Sequence, residues 1–318
     1  MPFFSHETID TAWIIIKEVL APNVIGKEWT TPSEIGQWFR QIRGHQMARA
    51  AVENACWDMT ARVNNITLHE LLGGTRKDIP CGVSIGIQDT PEQLLEKIGI
   101  EIEAGYRRIK IKIKPGWDYD ILKLVRQTFP NITLSVDANS AYTLADINML
   151  KSLDEFNLLM IEQPLGHDDI VDHSHLQKQI NTDICLDEPI ISLDKTRKAI
   201  EMESGRIINI KLGRVSGFSE AIKIHNYCYK RNIPVWCGGM LEAGIGRSHN
   251  IALSTLPGFI LPGDVSASKR YFKEDIIEPP VTVSNDGFIK TPQLTGTGYE
   301  PKEKYIESIT TRKEVFSV

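Results

Sequence analysis

Asp137, Glu162 and Asp187 are followed by Lys211 at intervals of 25, 25 and 24 residues, and each closes a strand-like apolar run. Upstream, Arg108-Ile109-Lys110-Ile111-Lys112-Ile113-Lys114 alternates strictly between basic and branched apolar residues. Successive side chains of a strand point to opposite faces, so Lys110, Lys112 and Lys114 share one face. Taken alone, this is the pattern of a half-exposed edge strand with lysines in water. The recurrence changes the reading. A strand, a helix and two loops occupy about 25 residues in a parallel α/β unit. Charged residues at the same point of successive units point to one shared site at the strands' carboxyl ends.

Three carboxylates converging on one point repel unless a cation neutralises them. All-oxygen ligands without His or Cys favour a hard ion, Mg²⁺ ahead of Mn²⁺. Lys112 and Lys211 could then face each other across the ion. Each would also be near positive charge, Lys110 and the metal for Lys112, Arg214 and the metal for Lys211. With burial, that would lower both lysine pKa values and make a neutral amine base accessible. The chemistry this suits is removal of a proton α to a metal-held carboxylate, the ion stabilising the enediolate.

The elements that must position these groups follow from periodicity. Residues 5–20 read as a helix with Ser5 as cap and Pro22 as stop, and Thr31-Pro32-Ser33-Glu34 opens a second. A third covers 45–63, with Met47, Ala51, Ala55 and Met59 as its core stripe, and a short one over 68–72 stops at Gly73-Gly74. From Pro80 the pattern alternates. Strands are predicted at 80–87, 107–113, 132–137, 158–162, 183–187, 207–211, 233–236 and 259–262. Helices are predicted at 91–104, 118–128, 142–153, 169–179, 192–202, 216–230 and 243–254. Eight strands and seven intervening helices fit a closed parallel barrel. An open doubly wound sheet would want a glycine-rich phosphate turn, and Gly82-Val83-Ser84-Ile85-Gly86 offers none. The expected organisation is a helical part over 1–78, a barrel over 79–268, and a segment over 269–318 whose short strands return to the first helices.

Other signals have blander readings. His167, Asp168, Asp169, Asp172, His173 and His175 resemble a metal cluster but stand where a helix begins, and read as its solvated start. Gly238-Gly239-Met240 is a turn whose backbone N–H groups could bind an anionic tail. Asp264 ends the last strand and either touches substrate or caps. The 318 residues are 42% hydrophobic and 24% charged with a net charge of −5, so neither nucleic acid nor a membrane surface is an expected partner. No apolar run is long enough to span a membrane. Five scattered cysteines read as reduced thiols of a cytoplasmic protein, and PFFSHETIDTAW is no secretory signal.

The segments KIKIKPGWD, SVDANSAY, LMIEQPL, CLDEPI, INIKLGRVSG and PVWCGGMLEAGIGRS together resemble the enolase superfamily, in its muconate lactonizing enzyme-like subgroup. The likeness is nearest to the o-succinylbenzoate synthase and N-succinylamino acid racemase branch. It implies an α/β fold, a modified TIM barrel (β/α)7β with a helical capping domain. It implies Asp137, Glu162 and Asp187 as ligands of Mg²⁺, with Mn²⁺ as a substitute. Lys112 and Lys211 become the acid/base pair, supported by Lys110 and Arg214. Asn139 and Glu188 back the metal, and Ser84, Gly239, Met240 and Asp264 line the substrate pocket. The implied reaction is dehydration of 2-succinyl-6-hydroxy-2,4-cyclohexadiene-1-carboxylate in menaquinone biosynthesis, with N-acylamino acid racemization as the alternative. A small-molecule carboxylate is the expected substrate and a homo-oligomer the expected state.

Two departures from the family pattern stand out. Relatives begin with further capping strands and a mobile loop over the pocket, so the chain is expected to be a fragment or to keep an open mouth. A truncated, non-catalytic barrel is the corresponding third reading. Pro189 stands where the family more often has a small polar residue, and a minor loop effect is expected.

Overall fold

The structure, a computed structural model, describes residues 5–316; Pro2, Phe3 and Phe4 of the N-terminal reading above lie outside it. Helix α1 (Ile9–Ile15) starts three residues later than expected. Its cap is Thr8, in a reciprocal box with Thr11, and not Ser5, whose hydroxyl lies against the Met47 sulfur. The helix continues as a π turn (Ile16–Leu20) and a 3-10 turn (Ala21–Asn23) that accommodates Pro22. Next come α2 (Ser33–Trp38), α3 (Gln46–Val63) and α4 (Leu68–Leu72). Thr67 and Glu70 form a capping box on α4, and Gly73 ends it at φ 82°, the left-handed region that favours glycine.

The expected core stripe of α3 is overturned. Ala51, Ala55 and Met59 are exposed and Met47 is half-buried. The buried side carries Ala48, Glu53, Asn54, Cys56, Trp57 and Ala61. The apolar count favoured the wrong face because the helix meets the barrel partly through polar groups that serve another helix's N-terminus.

Strand β1 (Asp78–Pro80) leads into the alternating region: β2 (Gly82–Ile85), α5 (Pro91–Glu103), β3 (Arg108–Lys112), α6 (Tyr119–Thr128), β4 (Leu134–Asp137) and α7 (Ile147–Ser152). It continues through β5 (Ile161–Glu162), α8 (Val171–Gln177), β6 (Ile184–Leu186), α9 (Leu193–Glu201), β7 (Ile207–Ile210), α10 (Phe218–Tyr229), β8 (Val235–Cys237) and α11 (Gly244–Ser254). Strands β2 to β8 form one seven-stranded parallel sheet in sequence order. The predicted eighth strand is present only as parallel bridges, Phe259 to Val235 and Gly263 to Cys81. Pro262 has no N–H to give a ladder, yet the Gly82 N–H donates to the Gly263 carbonyl at 2.7 Å and the Asp264 N–H to the Cys237 carbonyl at 2.9 Å. Those bonds curl the sheet closed. Helix N-caps fit their sequence signals, with Thr90 before Pro91, Asp118 and Ser192 each accepting a backbone N–H.

Alternation divides each strand's side chains between two cores. Ile109, Ile111, Val136, Ile161, Leu186 and Ile208 pack outward under the helices. Met160, Cys185, Ile207 and Trp236 form a separate apolar plug. Each of the first two lies two residues before one of the acidic residues, and so on the same face of its strand. After the barrel, β9 (Ile277–Glu278), β10 (Phe288–Lys290) and β11 (Glu300–Pro301) pair as β1 with β10 and β9 with β11. This return was expected. Helix α12 (Glu303–Ile309) was not. The Thr297 N–H donates to Asp58 and Arg62 to the Tyr299 carbonyl, which ties the return to α3.

The solvated reading of residues 167–175 holds for Asp168 and Asp172 but not for His173, which is buried. Its Nε2 accepts the Leu165 N–H at 3.2 Å and its Nδ1 pairs with Asp169 at 2.8 Å. All five cysteines are free and buried.

His249, on α11, is buried edge-on against Phe218 with 9% of its surface exposed, and desolvation pushes its pKa down to about 4. Its unfolded value is near 6.5, so between about pH 4 and 6.5 the unfolded chain binds the proton and the folded one does not. The stability it contributes is therefore full above about pH 6.5 and is lost as pH falls towards 4. Buried carboxyls elsewhere titrate with the opposite sign, so the test is a difference. The loss of unfolding free energy between pH 7.5 and 5.0 should be about 2 kcal/mol larger for the wild type than for His249→Gln by urea unfolding. An identical loss in both would contradict this assignment.

Candidate functional site

Register brings the charged residues together. Lys112 pairs with Asp137 across β3 and β4, and Asp137 with Glu162 across β4 and β5. Asp187 lies two residues beyond Cys185, the partner of Glu162, and therefore on the same face. Lys211 follows Asn209 by the same step on the next strand. Lys110 lies one step deeper than Lys112, whereas Lys114 is exposed beyond the strand end and takes no part.

Each carboxylate is held by an ammonium. Lys112 donates to Asp137 at 2.6 Å and to the Asn139 side-chain oxygen at 2.5 Å. Lys110 donates to Glu162 at 2.6 Å, pairs with Asp264 at 2.7 Å and stands 3.5 Å from Asp137. Its ammonium also lies 4.7 Å from the Trp236 ring centre. Lys211 donates to Asp187 at 2.7 Å, and Arg214 lies 3.2 Å from the other Asp187 oxygen. Asn209 donates to Glu162 at 2.8 Å.

The electrostatics follow from burial and neighbours. Burial raises the Asp137 pKa, but Lys110 and Lys112 outweigh it and bring it to about 2. Glu162 goes up to about 7, from burial first and then Asp137. Glu188 goes up to about 8, from burial and the Asp187 charge. Without a metal, Lys211 does not show the depression expected of the acid/base pair, and its neighbour Lys110 is shifted the same way. Burial pulls both down, yet Asp187 and Glu162 lift Lys211 above its ordinary value, and Asp264 and Glu162 lift Lys110 well above. Carboxylates in contact with the amines outweigh the cationic neighbours the sequence reading counted.

Among the described residues, no three His, Cys, Asp or Glu side chains are arranged to hold a metal ion, because the lysines stand between the acids. The donor chemistry nevertheless suits a hard divalent cation. The three carboxylates offer only oxygen, end adjacent parallel strands, and include Asp187 Oδ1, buried without a hydrogen bond. Glu188 Oε2 is buried without one as well.

The remaining expected residues take varied positions. Ser84 and Lys112 line a cleft of about 520 Å³ together with Leu241 and Arg270. Asn139, Glu188 and Arg214 line a neighbouring cavity of about 380 Å³ with His6 and His167. Met240 does not offer a free N–H to an anion, since that group donates to Glu242 at 2.9 Å. Gly239 passes so close to the Asp264 carbonyl that a Cβ there would lie 2.8 Å from it. Asp264 is no open pocket wall either. Its carboxylate is bound to Arg108 at 2.8 Å and to Lys110, inside the barrel.

Several residues of the site escaped the sequence reading. Arg108 is fully buried, donates to the Pro262 carbonyl and lies 4.8 Å from the Trp236 ring centre. Its position two residues before Lys110 was the available signal, as was that of Asn209 before Lys211. Gly238 makes room for the amine: a Cβ would stand 2.5 Å from both Asn209 and the Lys211 Cε. Non-glycine residues at positive φ gather at the strand ends, with Asn139 at 41°, Ser140 at 66°, Gln163 at 40° and Leu241 at 60°.

Comparison with known proteins gives concordant matches. A family model described as Enolase C-terminal domain-like matches residues 94–305. A second, described as the Mandelate racemase / muconate lactonizing enzyme N-terminal domain, matches residues 5–73. The chain is 51% identical to an o-succinylbenzoate synthase of Geobacillus kaustophilus, covering 99% of this chain and 84% of that protein. It is 45% identical to an N-succinylamino acid racemase of Thermus thermophilus, covering 98% and 84%. A crystal structure of an enolase superfamily member from Listeria innocua superposes with a TM-score of 0.93 at 45% identity, covering 97% and 83%.

Asp264 carries a prediction of its own. Replacing it by Asn leaves buried Arg108 short of its one carboxylate and Lys110 with one fewer. Asp264→Asn should lower unfolding free energy by roughly 3–5 kcal/mol, the range for breaking a buried ion pair on one side. A change below about 1 kcal/mol in urea unfolding would show that the network tolerates the loss.

Proposed function

The chain belongs to the mandelate racemase / muconate lactonizing enzyme family of the enolase superfamily, and from that we propose that it is a Mg²⁺-dependent o-succinylbenzoate synthase. The observation that carries the proposal is the row of inward lysines and acids on adjacent strands, Lys112, Asp137, Glu162, Asp187 and Lys211, within a chain close to synthases along nearly its whole length. Asp137, Glu162 and Asp187 would hold Mg²⁺, with Mn²⁺ as a substitute. When bound, the ion would fix the substrate carboxylate and offset the negative charge that grows on it as the α-proton leaves.

Lys112 is the amine we assign to proton removal. Its side chain is 27% exposed against 11% for Lys211, and it faces the cleft beside Ser84. It takes the C1 proton of 2-succinyl-6-hydroxy-2,4-cyclohexadiene-1-carboxylate. The C6 hydroxyl then departs, taking a proton from the Lys112 ammonium, so that one water is lost and the ring becomes aromatic. Asn139 orients Lys112 by accepting from its ammonium. Lys110, bound to Glu162 and Asp264, holds positive charge beneath the acids without contacting the cleft. Arg214 supports Lys211 through their shared partner Asp187, and Glu188 backs the acids from behind.

Racemization of an N-succinylamino acid is the second reading, and the second lysine favours it. Dehydration needs one amine, whereas inverting a stereocentre needs a proton removed on one face and delivered on the other. Lys112 and Lys211 flank the acids from different strands, and the Thermus relative carries the racemase name. A cytoplasmic, homo-oligomeric enzyme completes the proposal; five free cysteines fit a reducing compartment.

Assaying both reactions on one preparation, with and without EDTA, tests the reading. Dehydration should proceed with Mg²⁺ and stop on chelation. Racemization without dehydration would reject the synthase assignment. Mg²⁺ binding without turnover of either substrate would favour the non-catalytic reading. Lys112→Ala should lower dehydration by at least about a thousandfold while the Mg²⁺ titration and unfolding curve change little. Unchanged turnover would remove Lys112 from the mechanism.

A further inference from the structure

The cap helix α3 buries a carboxylate that the chemistry above does not use. Glu53 is 0% exposed and stands far along the chain from every charged group of the site. Its Oε2 accepts the Phe218 N–H at 2.7 Å; its Oε1 accepts the Ser219 N–H at 3.0 Å, the Trp57 indole N–H at 2.9 Å and the Ser219 hydroxyl. The neighbouring Asn54 also accepts the Phe218 N–H, at 3.2 Å. Phe218 and Ser219 open α10, whose own cap residue is Gly217 and provides no side-chain cap. Glu53 therefore supplies in space the cap that the local sequence omits, where a carboxylate is also favoured by the helix dipole.

The segment anchored in this way is the loop that follows β7 and carries Lys211. Between Lys211 and Gly217 the backbone folds on itself: the Arg214 and Val215 N–H groups donate to the Lys211 carbonyl, and the Gly217 N–H to the Leu212 carbonyl. One end of this short loop is set by β7, and the other by Glu53. Gly217 sits at φ 112°, and a Cβ there would come within 2.1 Å of Glu53 Oε2, so the loop end is shaped around the carboxylate.

We propose that Glu53 is a positioning residue for Lys211, holding the Lys211–Gly217 loop against the cap helix so that the ammonium and Arg214 stay aligned on Asp187. The proposal rests on the role assigned to Lys211 above. It explains why α3 turns a carboxylate and an indole towards the barrel and leaves Ala51, Ala55 and Met59 in water. Lys112, on the far side of the acids, is held by Asp137 and Asn139 and has no link to Glu53.

Glu53→Gln tests this, because it keeps the shape but sets an amide N–H₂ against groups that are themselves donors. Ser219→Ala, which removes one of those donors, serves as a milder second variant. The first readout is amide hydrogen exchange of the folded proteins by mass spectrometry. In Glu53→Gln, exchange over residues 211–219 should rise at least tenfold, with residues 137–142 unchanged, and Ser219→Ala should show a smaller rise in the same place. The second is α-deuterium incorporation from D₂O into each enantiomer of an N-succinylamino acid with Mg²⁺. Incorporation lost in Lys211→Ala should fall at least fivefold more in Glu53→Gln than incorporation lost in Lys112→Ala, and the reverse order would overturn the proposal. Unchanged protection of 211–219 in folded Glu53→Gln would overturn the proposal. So would raised exchange there with both enantiomers slowed equally, which would mark a merely structural role. Should Glu53→Gln not fold, Ser219→Ala decides by the same two criteria. If the wild type exchanges no N-succinylamino acid, the racemase reading fails and the loop protection alone decides for Glu53.

Discussion

Charges taken out of water must find one another, and the interior of this barrel is built on that constraint. Arg108, Lys110, Asp264 and Glu162 form a continuous buried ionic chain between the apolar plug and the strand ends. An isolated ion there is so costly that the group would neutralise instead. Together they are tolerated because every carboxylate has a cation, and the Trp236 ring covers the two cationic groups where acceptors run out. Arg108 Nε and Nη1 meet no acceptor, and the indole face is what they have in exchange.

The rest of the fold follows from keeping that chain in register. The last barrel segment cannot form a ladder at Pro262, but it delivers Asp264 to Arg108 and closes the sheet through Gly263. Gly238 keeps the next strand's end thin enough for Lys211 to lie over it. Carboxylates also fix the helical part before the barrel. Glu7 accepts the Met47 and Ala48 N–H groups at the start of α3, whose preceding residue His45 is left-handed and offers no side-chain cap. Buried apolar area supplies the bulk of stability, while these few acids decide how the parts sit on each other.

The barrel strands and their helices were legible because each unit states its period twice, once in the apolar run and once in the charged residue that ends it. Lys112, Asp137, Glu162, Asp187 and Lys211 could be grouped from spacing alone, since parallel strands of similar length put equivalent positions side by side. What could not be read depends on neighbours distant in the chain. Nothing in the sequence of α3 says that its polar side faces inward, because the N–H groups it serves belong to α10. Asp264 looked like a pocket wall because its partners, Arg108 and Lys110, lie more than a hundred residues earlier. The upward shift of Lys211 in the site without a metal was not legible either, because it comes from carboxylates in direct contact that the sequence does not place.

The central claim is that three acids at neighbouring strand ends form one cation site between two amines. Anomalous diffraction from crystals grown with Mn²⁺ tests it most directly. The account predicts a single strong peak touching carboxylate oxygens of Asp137, Glu162 and Asp187, with the Lys112 and Lys211 side chains on either side of it. A peak elsewhere, or none at millimolar Mn²⁺, would contradict it.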